Sequence, residues 1–241
     1  MNILIEYPVP DWIKILFLLA IPAPVILTMF LARSAFSRPG STAVFNAVGA
    51  FFFMYVLYVV VMGSTGKFNS VSFPPKVLLL TTFPFAFFLF LFVAKTKWYK
   101  VFIEHVSLER LVQVHVFRLI GGFFLILSLY DALPGWFGLI AGTGDVLTAI
   151  SGIWVSKLIR EKRLNFKKVT WVWNTFGLID ILFTAVSANV LTKLSIDSGI
   201  MGVDTLAMFP FYFIPALAPP IIVFLHYSIY LKLKKPVELF S

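Results

Sequence analysis

The chain has 241 residues, 60% of them hydrophobic and 13% charged, with no cysteine and a formal net charge of +9. A mean hydropathy of +0.94 places it among multi-spanning membrane proteins and leaves no stretch polar enough for a soluble domain. The positive charge lies in short segments between apolar runs, so it reads as a topology signal and not as a nucleic-acid footprint. The absence of cysteine excludes disulfides, thiol catalysis and Cys-based zinc sites.

In chain order, a short polar lead carrying Glu6 and Asp11 precedes a first span over 12–31. That run is longer than a signal-peptide core and follows no basic segment, so it reads as a retained span. Pro22 and Pro24 are expected to kink it. A second span covers 42–62 and a third 75–94, with Pro84 inside. Residues 95–110 mix Trp98, Tyr99, Glu104 and His105 with lysines and read as an interfacial connector. The fourth span is expected over 111–130, the fifth over 135–158, the sixth over 168–191 and the seventh over 204–231. The expected fold is thus an all-α membrane protein, a single transmembrane domain (1–241) of seven helices.

Orientation follows from lysine and arginine, which accumulate on the cytoplasmic side. Arg33, Arg38, Lys95, Lys97, Lys100 and Arg110 fall on one side, with Lys157, Arg160, Lys162, Arg163, Lys167, Lys168, Lys232, Lys234 and Lys235. The other side carries only Lys14, Lys67, Lys76 and Lys193. The N-terminus is therefore expected outside and the C-terminus in the cytoplasm.

The fifth span is unusual. Gly138, Gly142, Asp145, Ala149, Gly152 and Ser156 recur at alternating steps of four and three, which puts them on one helix face. Such a small-residue seam admits a close neighbour in lipid. A carboxylate at the bilayer centre costs roughly 2.5–3.5 kcal/mol on insertion scales, so Asp145 is expected to face protein. In the fourth span His115, Arg118, Gly121, Gly122 and Ser128 share a face. In the sixth, Asn174, Gly177, Asp180, Thr184 and Ser187 do. At the helical rise Asp145 and Asp180 each lie roughly 18 Å from the basic end of their helices, Arg118 roughly 12 Å and His226 of the seventh span roughly 9 Å. Arg118 is expected to pair with at least one of the two aspartates.

The candidate ligand- or ion-binding residues are Arg118, Asp145, Asp180, His115, Asn174 and His226. Two readings compete. In one, Asp145 and Asp180 bind a cation or proton in a polar cavity, with Arg118 as counter-charge or anion clamp, and the protein transports or binds a small solute. In the other, the same residues form a buried clasp in a non-catalytic membrane subunit or receptor-like module. Pro210, Pro215, Pro219 and Pro220 interrupt the seventh span. Each removes a backbone donor, and the carbonyls so freed must face protein or a water-filled cavity.

Three resemblances bear on these residues. Seven helices with an outside N-terminus resemble the rhodopsins, but 204–231 contain no lysine for a retinal Schiff base. Tyr130-Asp131, Gly142-Thr143-Gly144-Asp145 and Pro215-Ala216-Leu217 resemble the motifs of the presenilin and signal peptide peptidase type of intramembrane aspartyl protease. That resemblance implies Asp131 and Asp145 as a catalytic dyad sharing a proton. Only 13 residues separate them, so the dyad requires a non-helical re-entrant segment after Pro134. More broadly, GWFGLIAGTGD, WNTFGLID and FPFYFIPALAPP, from Gln113 to His226, look like a widespread group of uncharacterised bacterial membrane proteins. This resemblance implies a bacterial inner-membrane protein and assigns it no particular activity.

No cofactor is expected from the sequence itself. A haem held axially by His115 and His226 with Arg118 at a propionate is the alternative. Three scattered histidines are no metal-ligand spacing. The partners expected are the lipid bilayer and a small solute or proton, not nucleic acid, and association into a homo-oligomer stays open.

Overall fold

The computed structural model describes residues 4, 7–37 and 40–234, which form helices and connecting turns without a strand. Glu6, Arg38 and Lys235 lie outside the described residues. Seven helices are long and apolar enough to cross a membrane. They are α1 (Asp11–Arg33), α2 (Gly40–Ser64), α3 (Leu78–Lys95), α5 (Leu108–Leu129), α6 (Gly135–Arg160), α7 (Phe166–Ser198) and α8 (Phe213–Lys234). The connector before α5 carries a further short helix, α4 (Lys97–His105), opened by Thr96, whose hydroxyl accepts from Tyr99 N at 3.1 Å. This is a regular N-cap.

Prolines divide the ladders where the sequence puts them. The first span splits at Ile21 into Asp11–Ala20 and Pro22–Arg33. In α3 the turn around Pro84 is flanked by π-helical turns at Leu78–Thr82 and Phe88–Phe92. The last membrane helix departs from expectation. It starts at Phe213, not near 204, and the preceding stretch holds only a 3-10 turn at Asp204–Ala207. Pro210 disfavours helix at the residue before it, and Pro215 is tolerated because it falls in the first turn. Hydropathy did not separate this stretch from a span because it is buried in protein. Thr205 Oγ1 donates to Ala132 O at 2.6 Å, and Phe211 and Tyr212 are fully covered. The sixth span runs further than expected, to Ser198, and stops where Gly199 turns left-handed with a φ of 68°.

About half or more of α5, α6 and α8 is buried, against less than a fifth of α1, α2 and α3. The interior is therefore built from the late helices. The seam on α6 makes this tight. A Cβ at Gly138 would lie 2.5 Å from Phe124 O, and one at Gly142 3.1 Å from Gly121 O, so α5 and α6 touch backbone to backbone. Lower down, Gly152 accommodates the Trp173 ring of α7 at 3.0 Å, and that indole donates to Thr148 O and Ser151 Oγ, both at 3.1 Å.

The proline-freed carbonyls of α8 are met by protein. Pro219 cannot donate to Pro215 O, which accepts instead from Thr82 Oγ1 at 2.6 Å. Pro220 cannot donate to Ala216 O, which accepts from the Tyr55 hydroxyl at 2.9 Å. Hydroxyls on α2 and α3 thus replace the missing backbone donors and fasten the outer helices to α8.

Candidate functional site

The site starts from an irregularity in α5. Residues Val114–Gly121 wind as a 3-10 helix in the middle of the span. Side chains three apart eclipse in that geometry, so His115, Arg118 and Gly121 stand in one column. The steeper rise also carries Arg118 about 2 Å deeper than an α-helix would. Arg118 is wholly buried.

Its guanidinium is bonded on every side. Nε donates to Asp145 Oδ1 at 2.6 Å and Nη2 to Asp180 Oδ2 at 2.5 Å. Nη1 donates to Gly177 O at 3.0 Å and to His226 Nε2 at 3.1 Å. Arginine has no acceptor, so His226 Nε2 accepts and its proton sits on Nδ1. Nδ1 donates to Asn174 Oδ1 at 2.8 Å, and Asn174 Nδ2 donates to His226 O at 3.1 Å. The chain of bonds fixes a neutral His226 between α7 and α8. Both expected aspartates are therefore Arg118 partners, and Asn174 and His226 join the same network.

Glycines create the space. A Cβ on Gly121 would collide with the Asp145 carboxylate, and one on Gly144 with that of Asp180. A Cβ on Gly177 would lie 2.8 Å from both Thr148 Cγ2 and His226 Cε1 and 3.0 Å from Arg118 Nη1. The fold thus reserves one glycine beside each charged group. Gly121 and Gly177 were on the expected faces. Gly144 lies off the seam, and its only signal was its place beside Asp145.

His115 is different. It is fully buried and neither ring nitrogen has a hydrogen-bond partner among the described residues. Its ring centroid lies 4.4 Å from that of His226 and 5.3 Å from that of Trp173. Two axial haem ligands stand on opposite faces of the macrocycle. Rings in direct contact leave no plane between them, and both His226 nitrogens are engaged, so the pair does not fit a haem. Among the described residues no three His, Asp or Glu side chains converge as metal ligands.

The protease geometry also meets an obstacle. Helix α6 is continuous from Gly135, with Pro134 at its cap, so the re-entrant segment is not formed. Asp145 lies roughly 15 Å along that helix from its start. Asp131 sits in the turn before it, at a φ of 51°.

Above the cluster lies a cavity of about 140 Å³, walled by apolar side chains of α1, α3, α7 and α8 and floored by Arg118 and Asp145. A second space of about 60 Å³ adjoins it, bordered by Ser70, Lys76 and Asp204. Leu78, Ala188, Asn189, Leu206 and Pro215 line both. The two spaces therefore lie in series between the cluster and the bundle end that carries the 65–77 and 199–212 connectors. Asn189, which lines both spaces, is not among the residues expected from the sequence. An amide inside a span was the available signal.

Residues 74–233, about two thirds of the chain, match the family described as a domain of unknown function, DUF8737, and the chain belongs to that family. The matched residues run from α3 to α8 and include all of 113–226. No curated protein matches the chain. No solved structure does either.

Proposed function

We propose that the protein binds a proton or small solute at the Arg118–Asp145–Asp180 cluster and carries it across the membrane. The supporting observation is the cavity whose floor holds Arg118 and Asp145. A charge count adds to it. One guanidinium faces two carboxylates, which leaves a formal surplus of one negative charge in a low-dielectric interior. A bound proton or monovalent cation neutralises that surplus, and its arrival and departure would be the transported event. The test uses purified protein in liposomes containing a pH-sensitive dye, with an imposed membrane potential. Wild type is expected to pass protons above the empty-liposome rate, and Asp145→Asn to fall to that rate while still folding. Full flux in Asp145→Asn, or no flux in wild type, overturns the reading.

A second reading has its own observation. Four donor bonds already occupy Arg118, as a purely structural clasp in a non-catalytic subunit or receptor-like module would require. It expects Asp145→Asn to change stability and no flux in any variant.

We further place the protein in the cytoplasmic membrane of a bacterium, N-terminus outside and C-terminus inside, on the resemblance and on the lysine and arginine asymmetry. The chain has no cysteine, so single cysteines report sidedness directly. Ser198→Cys is expected to react with an impermeant maleimide on intact cells. Leu164→Cys, at a fully exposed position between α6 and α7, is expected to react only after lysis. The opposite pattern reverses the orientation.

A further inference from the structure

An apolar space among α1, α2, α3 and α8 is separate from the charged cluster. It measures about 320 Å³, and its walls include Ala47, Phe51, Phe88, Leu89 and Phe224. At one end it is bordered by Thr96, Trp98 and Tyr99, where α4 begins. Phe36 and Trp98 meet there at 5.8 Å between ring centroids.

The chemistry of that end is cationic. Lys95, Lys97 and Lys100 are exposed on either side of Trp98, and none forms an ion pair among the described residues. Arg33 ends α1 at the same rim, its guanidinium 5.8 Å from the Phe45 ring. Arg110 reaches Ser34 O at 3.4 Å.

A third feature lies inside. Thr28 lines the space, and its buried hydroxyl has no hydrogen-bond partner among the described residues. A threonine in a membrane helix ordinarily donates to the carbonyl four residues back. Thr81, Thr143 and Thr148 all do so here, and Thr28 does not. It lies five residues before Arg33, roughly 7 Å deeper along the helix. The headgroup layer on each side of a bilayer is about 5–7 Å thick, so Thr28 stands at the level of glycerol ester carbonyls.

We propose that this space is a binding site for one anionic glycerophospholipid. An acyl chain lies between the phenylalanines, an ester carbonyl accepts from Thr28 Oγ1, and the phosphate rests among Arg33, Lys97 and Lys100. Basic residues at the mouth of an interhelical pocket are the charge complement of such a headgroup.

Delipidated protein in neutral detergent, titrated with phosphatidylglycerol or with phosphatidylcholine of the same chains and read by native mass spectrometry, tests this. Phosphatidylglycerol is expected to bind about tenfold more tightly, the effect of one or two near-surface cations. Lys97→Gln with Lys100→Gln is expected to abolish that preference, Thr28→Val to weaken both lipids a few-fold, and Ala47→Phe to exclude both. Circular dichroism and gel filtration report whether Ala47→Phe folds. If it does not, the lysine pair, which is exposed, still decides. Equal binding of the two lipids, an unchanged preference without Lys97 and Lys100, or a dimer in place of a lipid adduct overturns the assignment.

Discussion

Arg118→Leu is expected to destabilise the protein more than any other single substitution. Removing one partner of a buried ion pair typically costs about 3–5 kcal/mol, because the remaining charge is stranded. Here two carboxylates lose their counter-charge at once, and Gly177 O and His226 Nε2 lose a donor. The loss should shrink in steps. Arg118→Leu with Asp145→Asn, or with Asp180→Asn, is expected to recover part of the stability, and the triple variant to recover most of it. Thermal aggregation of detergent-solubilised protein, followed by fluorescence-detected gel filtration, reads the series. If neither double variant melts above Arg118→Leu alone, the two ion pairs do not hold the helices together.

This cluster was legible in the sequence because lipid allows so few alternatives. A charge inside a span is expensive, so Arg118, Asp145 and Asp180 had to meet. Depth and helix face sufficed to bring them together. The seven helices were legible for the same reason, since about 20 apolar residues are needed to cross the hydrocarbon core. What stayed hidden depends on partners remote in sequence. Tyr55 and Thr82 read as ordinary polar residues until α8 places two proline-freed carbonyls beside them. The 3-10 stretch was hidden because His115, Arg118 and Gly121 fit a three-residue and a 3.6-residue period equally well over so short a run. The start of α8 was misplaced because a buried irregular segment is as apolar as a span. The His115–His226 contact was not legible because depth alone does not give the gap between two rings, which is 4.4 Å between centroids.

Gly144→Ala is expected to damage the protein although it adds one methyl group. In an exposed helix interior glycine to alanine stabilises, typically by roughly 0.5–1 kcal/mol. At Gly144 the new Cβ would occupy the place of the Asp180 carboxylate. Either α7 moves off α6 or Asp180 swings away and abandons Arg118, and overpacking of this kind usually costs about 1–3 kcal/mol before the lost ion pair is counted. Gly122→Ala is the control. Its Cβ would meet nothing closer than Val146 Cγ2 at 3.9 Å, so it should be neutral or stabilising. The decisive comparison places Gly144→Ala in an Asp180→Ala background. With the carboxylate gone the clash is gone, and the alanine should cost little there. Coupling above about 1 kcal/mol between the two positions is the expected outcome, the size seen for residues in direct contact. If Gly144→Ala melts with wild type, the Asp180 carboxylate does not lie over Gly144, and the second arm of the Arg118 bridge is misassigned.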